Sequence, residues 1–363
     1  MKAWVLHDIN DIRFEEVNNP TISSDEVLVK VRAAGICGSD IPRIYRDGAH
    51  NMPLIPGHEF SGEVIEVGAQ VDKSWMGKRV GAFPLIPCKK CISCKNMQYE
   101  MCSSYSYLGS RRDGAYAEYV TIPEWNLIEL PGNISFEEAA MLEPMAVAVH
   151  AMRRIIDADI QRDIRRENKS VIVYGLGTIG LMLTMFLIDA GIERLFVVGN
   201  KQSQFEMINK MGIPKENYCD SKKINVKAWI SEKTEGHGID IGFECVGRQE
   251  TVADVIEISA PTGKVMLIGN PYSDMTLDKN IYWKILRNQL TVLGTWNSSY
   301  THDVKDDWHY VLERLQKRRI TPEMFISHIY ELSELERGFH IMRDKSDEYI
   351  KEMVVNQKPF DVV

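Results

Sequence analysis

Short apolar runs rich in β-branched residues recur through the first third of the chain, each closed by Gly or Pro. Glu26-Val27-Leu28-Val29-Lys30-Val31 and Gly62-Glu63-Val64-Ile65-Glu66-Val67-Gly68 have the alternation of strands with one face buried, so the chain to about Val120 reads as a mostly β domain. From about Ala146 the rhythm changes to strand then helix. Ser170-Val171-Ile172-Val173-Tyr174 predicts a strand, about Thr178 to Ala190 a helix, and Arg194-Leu195-Phe196-Val197-Val198 a second strand. Further strands are expected at Ile239–Phe243, Lys264–Ile268 and Leu290–Leu293. Such alternation predicts an α/β, doubly wound parallel sheet, a Rossmann fold, beside the β domain. The stretch from Arg153 to Lys169 is dense in charge and reads as a solvated helix face or a linker. No internal repeat or low-complexity segment interrupts the pattern.

At 363 residues the chain suits two domains rather than one core. A composition of 44% hydrophobic and 26% charged residues is that of a soluble globular protein, and no apolar run has the length of a membrane span. The opening residues Met1-Lys2-Ala3-Trp4-Val5-Leu6-His7-Asp8 turn polar before a signal-peptide core could form, so a cytoplasmic location is expected. A net charge of -8 without a long basic block argues against a nucleic-acid partner, which needs clustered Lys and Arg. The seven cysteines suit metal ligation or catalysis better than a disulfide framework.

Four of them, Cys88, Cys91, Cys94 and Cys102, form C-x2-C-x2-C-x7-C in a polar loop of about residues 85–105. That spacing lets four thiolates converge on one Zn²⁺, and three cysteines at a period of three would be exposed and reactive without a metal. An iron–sulfur cluster suits the fourth spacing less well. Four thiolates leave no position for water, so this zinc is expected to be structural. Gly175-Leu176-Gly177-Thr178-Ile179-Gly180 directly follows a predicted strand and opens a predicted helix. In that context G-x-G-x-x-G provides a tight turn, close backbone approach to a pyrophosphate and a helix N-terminus for its charge. At the end of the second strand, where an acid would hold the ribose of NAD, the chain has Gly199-Asn200-Lys201. The missing carboxylate and nearby cation favour NADP over NAD; the alternative is that Asn200 alone serves the hydroxyls of NAD.

The β region also holds Cys37-Gly38-Ser39-Asp40 and Gly57-His58-Glu59, with Leu142-Glu143-Pro144 just before the second domain. Each is weak alone as a metal ligand. Together with the cysteine lobe, Arg112-Asp113-Gly114 and the glycine turn, the ordered set resembles the zinc-containing medium-chain dehydrogenases over essentially the whole chain. Within them it is similar to the polyol branch of sorbitol and threonine dehydrogenases, and most of all to the galactitol-1-phosphate 5-dehydrogenases. The nearer similarity rests on Cys37-Gly38-Ser39-Asp40-Ile41-Pro42-Arg43-Ile44, Gly48-Ala49-His50, Gly57-His58-Glu59-Phe60-Ser61-Gly62 and Gly109-Ser110-Arg111-Arg112-Asp113-Gly114.

The resemblance implies a GroES-like catalytic domain of residues 1–145 and 295–363, around a Rossmann domain of residues 146–294. It implies a catalytic Zn²⁺ on Cys37, His58 and Glu59, with Glu143 as an exchangeable fourth ligand, and Ser39 receiving the alcohol's proton. For the cofactor it implies Gly175, Gly177, Thr178, Ile179, Gly180, Gly199, Asn200, Lys201, Ile268, Gly269, Thr295 and Lys351. The implied reaction is hydride transfer between a secondary alcohol of a polyol or polyol phosphate and NAD(P), in a homodimer or homotetramer. Two departures stand out: Pro42 replaces a His that continues the proton path in many relatives, and Asn297 replaces an arginine of sorbitol-type enzymes. Arg43, Arg46, Arg111 and Arg112 are candidate phosphate ligands, unless they form ordinary salt bridges. Dehydrogenases of free polyols or of threonine are the neighbouring reading. A zinc- or redox-sensing protein that binds cofactor without turnover is the reading from another class. Cys219 and Cys245 are expected to be buried small hydrophobes.

Overall fold

The computed structural model describes residues 1–156, 168–271 and 273–356. The chain divides into two compact units, Met1–Pro144 with Ser299–Val363, and Met145–Ser298.

The hub of the first unit is the strand Glu26–Gly35, whose Val27, Val29 and Val31 are fully buried. It pairs antiparallel with Glu59–Val67, with Tyr119–Pro123 and with Lys351–Val355, in a seven-stranded sheet that also takes in Ile326–Tyr330, Arg79–Ala82 and Leu127–Glu129. Phe60, Val64, Tyr116 and Phe339 close the core around the hub. Complete burial of side chains of this size contributes roughly 1.5–3 kcal/mol each. The register explains where chemistry can gather. Gly35 lies opposite Glu59 on one side and Met353 on the other, so the residues that follow the hub emerge beside the start of one neighbour and the Lys351 end of another.

The second unit is a parallel six-stranded sheet in the order Tyr218–Asp220, Leu195–Gly199, Val171–Tyr174, Ile239–Glu244, Ser259–Leu267, Thr291–Gly294. Val171 to Tyr174 are all buried, the mark of a strand covered on both faces. The helix Thr178–Asp189 buries Leu181, Met182, Leu183, Met185, Phe186 and Leu187, so it too is an interior element. Chain order reverses about Val171–Tyr174, the switch point at which open α/β sheets bind ligands. The expected fold class is therefore the observed one.

Differences are local. Tyr218–Asp220 was not expected as a strand, because three residues cannot display an alternation. Cys219 is buried as expected, whereas Cys245 is only half-buried, since it lies in the loop beyond its strand. Most of the charged stretch from Arg153 to Lys169 falls outside the described residues. Among the described residues no helix is long and apolar enough to cross a membrane.

Candidate active site and metal centres

Cys37 follows the hub strand, and His58 and Glu59 open its antiparallel neighbour. One sulfur, one ring nitrogen and one carboxylate oxygen from these residues all lie within 4.8 Å of one another. Glu143, the fourth expected ligand, stands outside this group. Its Oε1 accepts a hydrogen bond from the Tyr107 hydroxyl at 3.2 Å, and the Tyr107 ring meets His58 edge-on at 5.7 Å between centroids. The Ser39 hydroxyl donates to Cys37 Sγ at 3.3 Å.

Behind the three donors is a buried layer of charge. Asp40 is fully buried and accepts from the Tyr116 hydroxyl at 2.6 Å, the Cys37 backbone N–H at 3.1 Å and the Arg43 guanidinium at 2.5 Å. Its carboxylate lies 3.6 Å from His58 Nδ1. Burial would raise the Asp40 pKa, but His58, Arg43 and Tyr116 outweigh it and hold the carboxyl well below the usual range. His58 is the mirror case: burial pulls it down, and Asp40 and Cys37 carry it well above an ordinary imidazole. Burial pushes Glu143 up to about 7, with His58 and Lys351 opposing and Glu59 reinforcing the rise. Lys351, expected at the cofactor, belongs to the first unit. Its buried ammonium donates to the Ile36 carbonyl at 2.9 Å and to Glu59 Oε2. Sequence reasoning also missed Asp40, Tyr107 and Tyr116. Only Asp40 had a visible signal, as the acid three residues before Arg43.

The cysteine lobe converges as its spacing predicted. The four sulfurs lie within 4.8 Å of one another as free thiols, with Cys91 Sγ 3.5 Å from Cys94 Sγ and 4.0 Å from Cys102 Sγ. A tetrahedral zinc with Zn–S bonds of 2.3 Å requires sulfurs about 3.8 Å apart, so this donor set fits that ion. Backbone N–H groups at Cys94 and Ser103 lower the Cys91 thiol to about 5, while burial and the neighbouring thiols raise Cys94 to about 12. The Cys37, His58 and Glu59 set fits zinc by donor type, with Glu59 already held on one oxygen by Lys351.

In the second unit the glycine turn has the geometry that its residues allow. Gly175 has φ +103°, where L side chains are strained, and a Cβ there would collide with Val246. A Cβ on Gly180 would meet the Gly175 carbonyl, so close helix–strand packing depends on that glycine. Gly177 instead caps the helix Thr178–Asp189 and has open space around its Cβ position, the room a pyrophosphate needs. The buried carboxylate of Glu244 accepts from the backbone of Val246 at 2.8 Å, from Gly247 at 3.0 Å and from Thr251 Oγ1 at 2.7 Å. Its carbonyl receives the N–H groups of Ile268 and Gly269, and the Thr295 N–H donates to Leu267 O at 3.3 Å. Glu244 thus ties the loop beyond its own strand to Ile268 and Gly269. Gly199 ends its strand, and the Gln204 side chain accepts from the N–H groups of Asn200 at 2.9 Å and Lys201 at 3.2 Å. A cavity of about 750 Å³ beside them is also lined by Tyr218, Lys222 and Lys223.

The four candidate arginines are not equivalent. Arg43 is paired with Asp40, Arg46 with Asp47 at 2.7 Å, and Arg112 with Glu26 at 2.6 Å. Arg111 has no carboxylate partner among the described residues. Its guanidinium lies over the Tyr105 ring at 4.3 Å and donates to the Tyr105 carbonyl at 3.3 Å.

Residues 23–132 match the alcohol dehydrogenase GroES-like domain and residues 178–317 the zinc-binding dehydrogenase domain. The chain is 32% identical over 329 residues to galactitol 1-phosphate 5-dehydrogenase of Escherichia coli K12, covering 90% of this chain and 92% of that protein. It is 29% identical over 355 residues to the sorbitol dehydrogenase of Halalkalibacterium halodurans, covering 97% and 98%. Among solved structures, galactitol-1-phosphate dehydrogenase from Escherichia coli superposes with a TM-score of 0.87 at 30% identity, over 98% of this chain and 100% of that one. A zinc-binding dehydrogenase from Sinorhizobium meliloti, bound to NADP, gives 0.86 at 25% identity, over 98% and 99%. The chain belongs to the zinc-dependent medium-chain alcohol and polyol dehydrogenases. It is accordingly an oxidoreductase of the NAD(P)-dependent kind, which removes the non-catalytic sensor from consideration.

Proposed function

We propose that the protein oxidises a secondary alcohol of a hexitol or hexitol phosphate, such as galactitol 1-phosphate, to the corresponding ketose with NADP in preference to NAD. The observation that carries this reading is the convergence of Cys37, His58 and Glu59 beside the Ser39 hydroxyl. In it, those three residues hold one Zn²⁺ with Glu143 as an exchangeable fourth ligand, and Cys88, Cys91, Cys94 and Cys102 hold a structural second. Zinc supplies a Lewis acid that lowers the pKa of a hydroxyl, and the nicotinamide supplies the hydride acceptor. Ser39 Oγ, which spends its own proton on Cys37 Sγ, keeps lone pairs to accept the proton of the substrate hydroxyl. Asp40 fixes the backbone of Cys37 and faces His58, and Lys351 holds Glu59. Onward proton transfer bypasses Pro42, through water, Glu59, Glu143, His50 or the cofactor ribose.

For the cofactor, Gly175, Gly177, Thr178, Ile179 and Gly180 receive the pyrophosphate, and Ile268, Gly269 and Thr295 the nicotinamide half. The absence of an acid at Gly199-Asn200-Lys201, with Lys222 lining the same cavity and Asp220 there paired with Lys223, supports NADP. Free polyol or threonine is the second reading, favoured by the salt bridges of Arg43, Arg46 and Arg112. One panel decides among these: initial rates on zinc-replete protein with galactitol 1-phosphate, galactitol, sorbitol and threonine, each with NADP and NAD. The expected order puts a phosphorylated hexitol with NADP first. Equal rates with and without phosphate would retire the hexitol phosphate, and a preference for NAD would retire the reading of Lys201.

A homo-oligomer is also part of this proposal. Thr291–Gly294 is an edge strand with Val292 36% exposed, and the neighbouring helix Lys279–Arg287 exposes Tyr282, Trp283 and Leu286. An uncovered edge with apolar side chains is a pairing surface, and a second copy of the same strand is its simplest occupant. Light scattering is expected to give a dimer or tetramer, and a monomeric mass at micromolar concentration would refute this.

A further inference from the structure

We propose that Arg111 binds the phosphate of a polyol phosphate and so sets the preference for a phosphorylated substrate; this rests on the polyol dehydrogenase reading above. Three of the four candidate arginines have their charge met by Asp40, Asp47 and Glu26. Arg111 does not. Its Nε has no hydrogen-bond acceptor, so the guanidinium keeps a donor and a positive charge that the described residues leave unmet. The guanidinium is held in place before any ligand arrives, by the Tyr105 ring beneath it and the Tyr105 carbonyl on Nη1. The backbone is fixed as well: the Arg111 N–H donates to Tyr107 O at 2.9 Å, and Asn51 Nδ2 donates to the Arg111 carbonyl at 2.9 Å.

The same turn ties the arginine to the chemistry. Tyr107, whose carbonyl receives the Arg111 N–H, places its hydroxyl on Glu143 and its ring on His58. An anion held by Arg111 is therefore anchored to the turn that contacts the candidate zinc ligands. Guanidinium presents a planar fork suited to two phosphate oxygens, which a hydroxyl of a free polyol cannot match. The ligand class is a phosphate monoester on a short polyol chain.

The test compares wild type, Arg111→Gln and, as a control, Arg46→Gln, whose guanidinium is exposed and paired with Asp47. Arg111→Gln is expected to raise KM for galactitol 1-phosphate by about 30-fold, with kcat within about threefold and kcat/KM for galactitol within about twofold. Calorimetry with galactitol 1-phosphate and with inorganic phosphate should show the same loss of binding, and Arg46→Gln should leave both measurements unchanged. Equal effects on the two substrates, no effect on either, or wild-type binding of galactitol 1-phosphate no tighter than galactitol would each overturn the role of Arg111. Binding of galactitol 1-phosphate that depends on Arg111 but gives no turnover keeps the anion site and instead overturns the assignment of the substrate.

Discussion

Cys37→Ser is expected to lower kcat by at least about 10³-fold while leaving the affinity for NADPH within about twofold. The argument begins with the sheet register, which brings Cys37 beside Glu59 and His58 through the pairing of Gly35 with Glu59. Serine keeps the size and the backbone bond to Asp40 but exchanges a soft thiolate for a neutral hydroxyl, a poor zinc ligand at neutral pH. The Ser39 hydroxyl, which donates to Cys37 Sγ, would face a hydroxyl oxygen in place of the sulfur. The glycine turn belongs to the other unit and the substitution changes none of its residues, so cofactor affinity is expected to be kept. Metal analysis should give one zinc ion per chain fewer than wild type, and cofactor fluorescence titration should superpose on that of wild type. Turnover that survives with one zinc lost would remove Cys37 from the reaction altogether.

What could be read from the sequence was what is local in it. The glycine turn declares itself because Gly175 takes a positive φ and Gly180 packs on the Gly175 carbonyl five residues away, and the lobe because Cys88, Cys91 and Cys94 repeat every three. Contacts between distant segments leave no such mark. Lys351 meets Glu59 across 292 positions, and nothing near either residue in the sequence announces the pair. Arg112 meets Glu26 across 86 positions, and a count of arginines could not show that only Arg111 lacks an acid. Glu244 had no signal, because a buried acid at a strand end looks like any other until the loop folds back onto it. Burial inverts the meaning of charge: on the surface these groups would be solvated, whereas here each demands a partner, and the partners define the site.

Cys94→Ser should act on stability rather than chemistry. The lobe has little else to hold it. Its helix Ile92–Lys95 has four residues and its 3₁₀ turn Tyr99–Met101 three, both too short to persist alone. Ile92 is 78%, Met97 62% and Met101 55% exposed, so these three build no core between Cys91 and Cys102. Lys89 and Met97 also adopt positive φ, a conformation that other residues must enforce. Cys94 and Cys102 are buried beside Cys91, and three or four thiols this close repel as they ionise unless a cation unites them. Loss of one ligand is expected to cost about 3 kcal/mol or more, roughly 6–12 °C in Tm, together with one zinc per chain. Limited proteolysis should then cut between Cys88 and Cys102 first, while intact molecules keep kcat within about threefold, because no lobe residue belongs to the Cys37, His58 and Glu59 group. A variant that retains both zinc ions and its melting temperature would show that the four thiols are held by the polypeptide alone.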